Sequence, residues 1–151
     1  MGQWSFQKFA GRHNRVVTIV VAYQTGAQLG TSKGKVTAHA QQESYLRQQN
    51  IQDPNPRNHF RKDLLSFLEA CRKDKEELIL LGDFNQEPGG DPSGMAHICS
   101  KLGMIDVMLH HHGSDDIVTY ARRRKRLDYA TCTTKVTKAI ENMDMNLSII
   151  T

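Results

Sequence analysis

Apolar and polar positions along the chain sort into alternations, continuous runs and helical periods. Residues 4–9 (Trp-Ser-Phe-Gln-Lys-Phe) alternate as a half-covered strand does, and a polar turn, Gly11 to Arg15, leads into the β-branched run Val16 to Tyr23. The pair predicts a hairpin whose second strand is buried. Thr37 to Asn50 is rich in helix formers but carries few apolar positions, namely Ala38, Ala40, Tyr45 and Leu46, so it predicts a helix resting lightly on the body. Asp53-Pro54-Asn55-Pro56 ends that segment. Phe60, Leu64, Leu65, Phe67, Leu68 and Cys71 then recur every three or four residues between charged ones, the mark of an amphipathic helix packed on a sheet.

Leu78 to Leu81 is a run of four aliphatic residues, expected to form a strand buried on both faces, and Gly82 allows a sharp turn at its end. Gln86 to Ser93 is dense in breakers and predicts a surface loop. Ser93 is expected to cap a helix from about Gly94 to Leu102 that ends at Gly103, with a short strand from Met104 to Val107 after it. Two strands, Asp116 to Ala121 and Leu127 to Cys132, are expected to be joined by a basic hairpin tip. Lys135 to Asn142 predicts a weak helix and Met143 to Ile150 a final strand.

Composition narrows the class. At 151 residues, with 38% hydrophobic and 24% charged positions, the chain suits one globular domain and excludes a disordered polymer. No apolar run approaches the roughly 20 residues of a membrane span, and the first residues lack a signal-peptide core, so the expectation is a soluble, intracellular protein, cytoplasmic or nuclear. Cys71, Cys99 and Cys132 are odd in number and far apart, which predicts reduced core thiols. The net charge of +4 leans toward a polyanionic partner, and no obligate protein partner is evident.

Four features carry candidate chemistry. Asp83 and Asn85 leave their strand on the same side, and a carboxylate beside an amide suits a hard divalent cation and a phosphate oxygen; the plain alternative is an Asx-rich turn closing an ordinary strand. Tyr23, the phenol ending an aliphatic row, reads either as a phosphate donor or as an aromatic whose hydroxyl meets water. Arg122-Arg123-Arg124-Lys125-Arg126 reads as a solvated hairpin tip or as a phosphate-backbone contact. Within Arg126-Leu127-Asp128-Tyr129, alternation turns the Asp128 carboxylate away from the apolar side. Two further patterns fail: Gly30 and Gly34-Lys35 are spaced one residue too short for a phosphate-binding loop, and His110-His111-His112 cannot all face one metal from a single loop.

A strand ending in Tyr23, Gly82-Asp83-Phe84-Asn85 after an aliphatic strand, Thr119-Tyr120, and Arg126-Leu127-Asp128-Tyr129 together resemble, in order, the endonuclease/exonuclease/phosphatase superfamily. That superfamily includes apurinic endonucleases, DNase I, inositol polyphosphate phosphatases and retroelement endonucleases. The resemblance, which runs from Val16 onward, implies an α/β (α+β) DNase I-like fold: two packed sheets of a β-sandwich flanked by helices. It implies metal-dependent phosphodiester hydrolysis, usually with magnesium (or manganese), by in-line water attack. In that frame Asp83 binds the metal and activates the water, Asn85 orients the phosphate, Tyr23 stabilises the scissile phosphate, and Asp128 orients a catalytic histidine. Arg122, Arg123, Arg124 and Arg126 become substrate contacts.

The family pattern also includes an Asn and a metal-binding Glu ahead of the Tyr23 element and a Ser-Asp-His motif after the Asp128 element. Only 22 residues precede Tyr23, without such a pair, and the sequence ends at Thr151 before such a motif. The expectation is a partial domain, incomplete at both ends, with little hydrolytic activity on its own. Three readings follow: an endonuclease-like hydrolase with a retroelement origin, a phosphatase acting on a small phosphoester, or an inactive nucleic-acid binder using Arg122 to Arg126 and Lys33 to Lys35.

Overall fold

The computed structural model describes residues 3–27, 37–87, 91–114 and 117–140, and of Arg123 only the backbone. Lys33 to Lys35, Asp116 and the expected final strand from Met143 lie outside the described residues. Strands Trp4–Ala10 (β1), Val16–Tyr23 (β2), Glu77–Asp83 (β3), Met104–Asp106 (β4) and Asp128–Thr133 (β5) form one mixed sheet in the order β1-β2-β3-β5-β4. Only the β2–β3 pair is parallel; its crossover is made by helices Ala38–Gln48 (α1) and Pro56–Lys73 (α2). Met95–Leu102 (α3), Val107–His112 (α4) and Thr134–Thr137 (α5) complete the described elements. The architecture is α/β, and among the described residues the strands make a single sheet.

Period-2 alternation splits that sheet into two unlike faces. Val20, Ala22, Leu78, Leu80 and Tyr129 point toward α2 and α3, where Phe60, Leu64, Leu68, Met95 and Ile98 close a continuous core. On the opposite face Ile19, Ile79 and Leu81 are only half-buried, and Val21 and Phe9 are 53% and 52% exposed. The Leu78 to Leu81 run is therefore not buried on both faces as its continuity suggested, because the described helices α2 and α3 pack on one side.

Four local expectations change for identifiable reasons. Asn55 caps α2 by accepting from the Arg57 and Asn58 amides at 3.0 and 3.3 Å, so Pro56 opens this helix at a position where a missing N–H costs nothing. Ser93 does not cap α3; its hydroxyl is taken by Asp91 and Arg61, and Gly94 occupies the cap. Asp106 accepts the Leu109 amide at 3.2 Å, and this converts Val107 to His112, histidine run included, into helix α4 rather than strand and loop. The basic run is no two-stranded hairpin: Ala121–Arg123 is a single 3-10 turn closed by the lone Tyr120–Lys125 bridge.

Candidate active site

Strand register builds the site. Tyr23 stands level with Asp83 across the parallel β2–β3 pair, and Asp83 level with Asp128 across the antiparallel β3–β5 pair. Registered residues share a face, so the three side chains form a row across three adjacent strands, on the sheet side away from α2. The row lies at the carboxyl ends of β2 and β3 and the amino end of β5. Tyr23 is 49% exposed, which leaves its phenol reachable.

Gly82 is what lets β3 carry Asp83 into this row. Its φ is +152°, and a Cβ there would fall 1.8 Å from the Ala22 carbonyl oxygen. Phe84 then plugs the core, 5.9 Å from the Tyr129 ring and 6.3 Å from that of Phe60, while its amide donates to the Leu127 carbonyl at 2.9 Å. Asn85 turns back in the left-handed region at φ 45°. Its backbone N–H donates to Asp83 Oδ1 at 2.8 Å, and its Nδ2 donates to Asp83 Oδ2 at 3.3 Å and to the Gln24 carbonyl at 2.9 Å. The Asx turn weighed as the plain reading is thus present, and it is the device that fixes the Asp83 carboxylate. On the far side, the Thr119 hydroxyl accepts the Leu127 and Asp128 amides at 2.9 and 3.1 Å, setting where β5 begins.

Among the described residues no lysine, arginine or histidine pairs with Asp83 or Asp128. Burial pushes the Asp83 carboxyl up from its ordinary value, and the neighbouring Asp128 charge adds to this against the opposing Asn85 amide. Two adjacent carboxylates with no cationic partner among the described residues, rich in hard oxygen donors, fit a divalent cation. Among the described residues they are not joined by a third His, Cys, Asp or Glu in a ligating cluster. Beside them opens a cleft of about 380 Å³ lined by Asp83, Asn85, Gln86, Tyr120, Lys125 and Leu127.

The basic residues separate. Arg122 and Arg124 are exposed on the turn, and Lys125 is tied to Glu87 in the loop after Asn85. Arg126, expected to contact substrate, is instead 3% exposed, donates to both Asp106 carboxylate oxygens at 2.6 Å, and lies 4.9 Å over the Tyr129 ring. A buried guanidinium requires such a partner, and this one removes it from the surface.

Sequence reasoning missed the polar layer beneath the Asp83 turn. Arg57 NH1 donates to the Thr25 carbonyl at 2.5 Å, and both its terminal nitrogens approach the Asn85 carbonyl at 3.4 Å. Arg61, 6% exposed, donates to Gln24 Oε1 and Gln86 Oε1 at 2.9 Å each, to Ser93 Oγ at 3.0 Å and to Asp91 Oδ2 at 2.5 Å. The available signal was position: Arg57 and Arg61 continue the core stripe of Leu64 and Leu68 toward the start of α2. Asp91, held down to about 2 by the Ser93 amide and Arg61, supplies a pH test. A carboxylate depressed on folding stabilises above its unfolded value near 4 and loses that contribution as pH falls toward 2. Thermal melts across that window should therefore fall more steeply for the wild-type chain than for Asp91→Asn, and parallel curves would remove the clasp from the stability account.

The row of Tyr23, Asp83 and Asp128 on a mixed, helix-covered sheet belongs to an α/β fold of the DNase I-like kind, as the solved structures it matches show. The human Nocturnin catalytic domain, solved with a bound sulfate anion, superposes with a TM-score of 0.52 at 21% identity over 87% of this chain and 41% of that one. The Xenopus laevis APE2 catalytic domain superposes with a TM-score of 0.50 at 12% identity over 89% and 46%. The chain therefore spans less than half the length of the catalytic domains it matches. No family model matches the sequence, and no curated protein matches it. Among the described residues no helix is long and apolar enough to cross a membrane.

Proposed function

We propose that this chain carries the Asp83 half of a metal-dependent phosphodiester hydrolase site acting on nucleic acid. The observation that carries this is the register row of Tyr23, Asp83 and Asp128, with Asn85 clamped to Asp83 beside an open cleft. Asp83, at the strand end beside the cleft, would orient the attacking water. The Tyr23 hydroxyl, half-exposed on the same face, donates to a phosphate oxygen as negative charge builds there. Asn85 holds the carboxylate through its backbone N–H and Nδ2 and lines the same cleft. Asp83, with Asp128 beside it, would hold magnesium or manganese, which supplies neutralising charge at a phosphate. Arg122 and Arg124, exposed near the cleft residue Lys125, favour an extended polyanion over a small phosphoester.

Because groups of such a site act as a unit, two carboxylates without further ligands among the described residues support only slow turnover. Nicking of supercoiled plasmid with magnesium should be weak, abolished by a chelator, and at least about 100-fold lower in Asp83→Ala. Cleavage indifferent to both the chelator and Asp83→Ala would overturn the proposal.

A further inference from the structure

Gln24 sits directly after β2 and is 1% exposed, yet every polar group it owns is engaged with the site turn or with Arg61. Its backbone N–H donates to the Asp83 carbonyl at 2.9 Å, its side-chain Nε2 donates to the Phe84 carbonyl at 2.7 Å, and its own carbonyl accepts Asn85 Nδ2 at 2.9 Å. One residue thus grips three consecutive residues of the turn. The amide has two possible orientations, and Arg61 selects one. Its Nε is a donor only, 2.9 Å from Oε1, so the Gln24 oxygen must face Arg61 and the nitrogen must face Phe84. Arg61 is itself held by Asp91, Ser93 and Gln86, so the orientation is fixed from the loop inward. A buried layer of this kind is costly when half-satisfied, which makes the chain of bonds act together.

We propose that Gln24, oriented by Arg61, is the positioning residue that holds Asn85 in its left-handed turn and thereby sets the Asp83–Asn85 pair for a phosphate-bound cation. The proposal deepens the hydrolase reading and rests on it only for the cation. Left-handed backbone at a non-glycine residue is disfavoured, and it persists where surrounding bonds over-determine it. With the Gln24 side chain replaced, the Phe84 carbonyl loses its donor and Arg61 Nε its acceptor, so the turn that carries Asn85 loosens against the backbone carbonyl of residue 24, while Asp83 keeps its place in the β3 ladder. The effect should therefore appear as a displaced amide rather than a lost strand.

The test compares the wild-type chain with Gln24→Met, Arg61→Met, the double variant, and Ile98→Val as a core change that removes none of these hydrogen bonds. In metal-free protein, the Asn85 side-chain amide should give two well-separated proton signals that exchange slowly with water. Both single variants should merge those signals and speed exchange about tenfold, the double variant should add nothing further, and Ile98→Val should leave them as they are. Manganese affinity should then fall about tenfold in Gln24→Met and stay unchanged in Ile98→Val, the scale expected when support behind a metal ligand is removed. An Asn85 amide unaltered by Gln24→Met, or altered equally by Ile98→Val, overturns the positioning role. Absence of manganese binding in the wild-type chain would count against the hydrolase reading instead, and the metal-free amide signals would still decide the role of Gln24.

Discussion

Gly82→Ala should cost more than about 4 kcal/mol, at the exceptional end for a single substitution. A methyl group at that position meets the Ala22 carbonyl oxygen at 1.8 Å and its carbon at 2.8 Å, and both are backbone atoms of a paired strand that cannot rotate away. The φ of +152° adds strain that alanine cannot relieve. β2 and β3 would have to part where Tyr23 and Asp83 lie level, so the site should be lost with the stability. Urea unfolding measures the first and manganese binding the second. A change below about 1 kcal/mol would mean that the Ala22–Gly82 contact is looser than the register implies.

Asp106→Ala should cost at least about 2 kcal/mol, because it removes the bidentate carboxylate acceptor of the buried Arg126 and the cap of α4 together. Asp106 meets both needs of its neighbourhood at once, accepting Arg126 through both carboxylate oxygens and capping α4 through Leu109. Loss of the cap accounts for about 1 kcal/mol of the total and loss of the pair for the rest. Adding Arg126→Met to Asp106→Ala should recover part of the deficit, since the guanidinium that Asp106 accepts is then gone. Equal instability of single and double variants in denaturant melts would show that the pair is not what Asp106 supplies.

These two substitutions mark the limits of what the sequence made legible. Gly82 was readable because its demand is local: an aliphatic strand followed at once by Gly-Asp-Phe-Asn leaves few backbone routes. The same locality made β1, β2 and α2 readable from their periods, and the carboxyl ends of β2 and β3 readable as the place where Tyr23 and Asp83 stand. Arg126 was not readable, because four basic neighbours gave it the look of a surface run while its partner Asp106 lies 20 positions away. Gln24, Arg57 and Arg61 were missed for a similar reason. Gln24 and Arg61 are polar by composition and buried by topology, Arg57 is half-buried, and only the parallel crossover brings the start of α2 beneath the Asp83 turn. The half-covered face of the sheet was hidden too, since Ile79 and Leu81 look as apolar as Leu78 and Leu80 and differ only in which side the helices cover.

The central claim is that Asp83 and Asp128 form one cation site at the end of the sheet. Titrating the chain with manganese and following free ion by electron paramagnetic resonance tests it most directly. One site per chain is predicted, lost in Asp83→Ala, weakened by at least about tenfold in Asp128→Asn, and competed by magnesium. Manganese affinity that is unchanged by both substitutions would contradict the account.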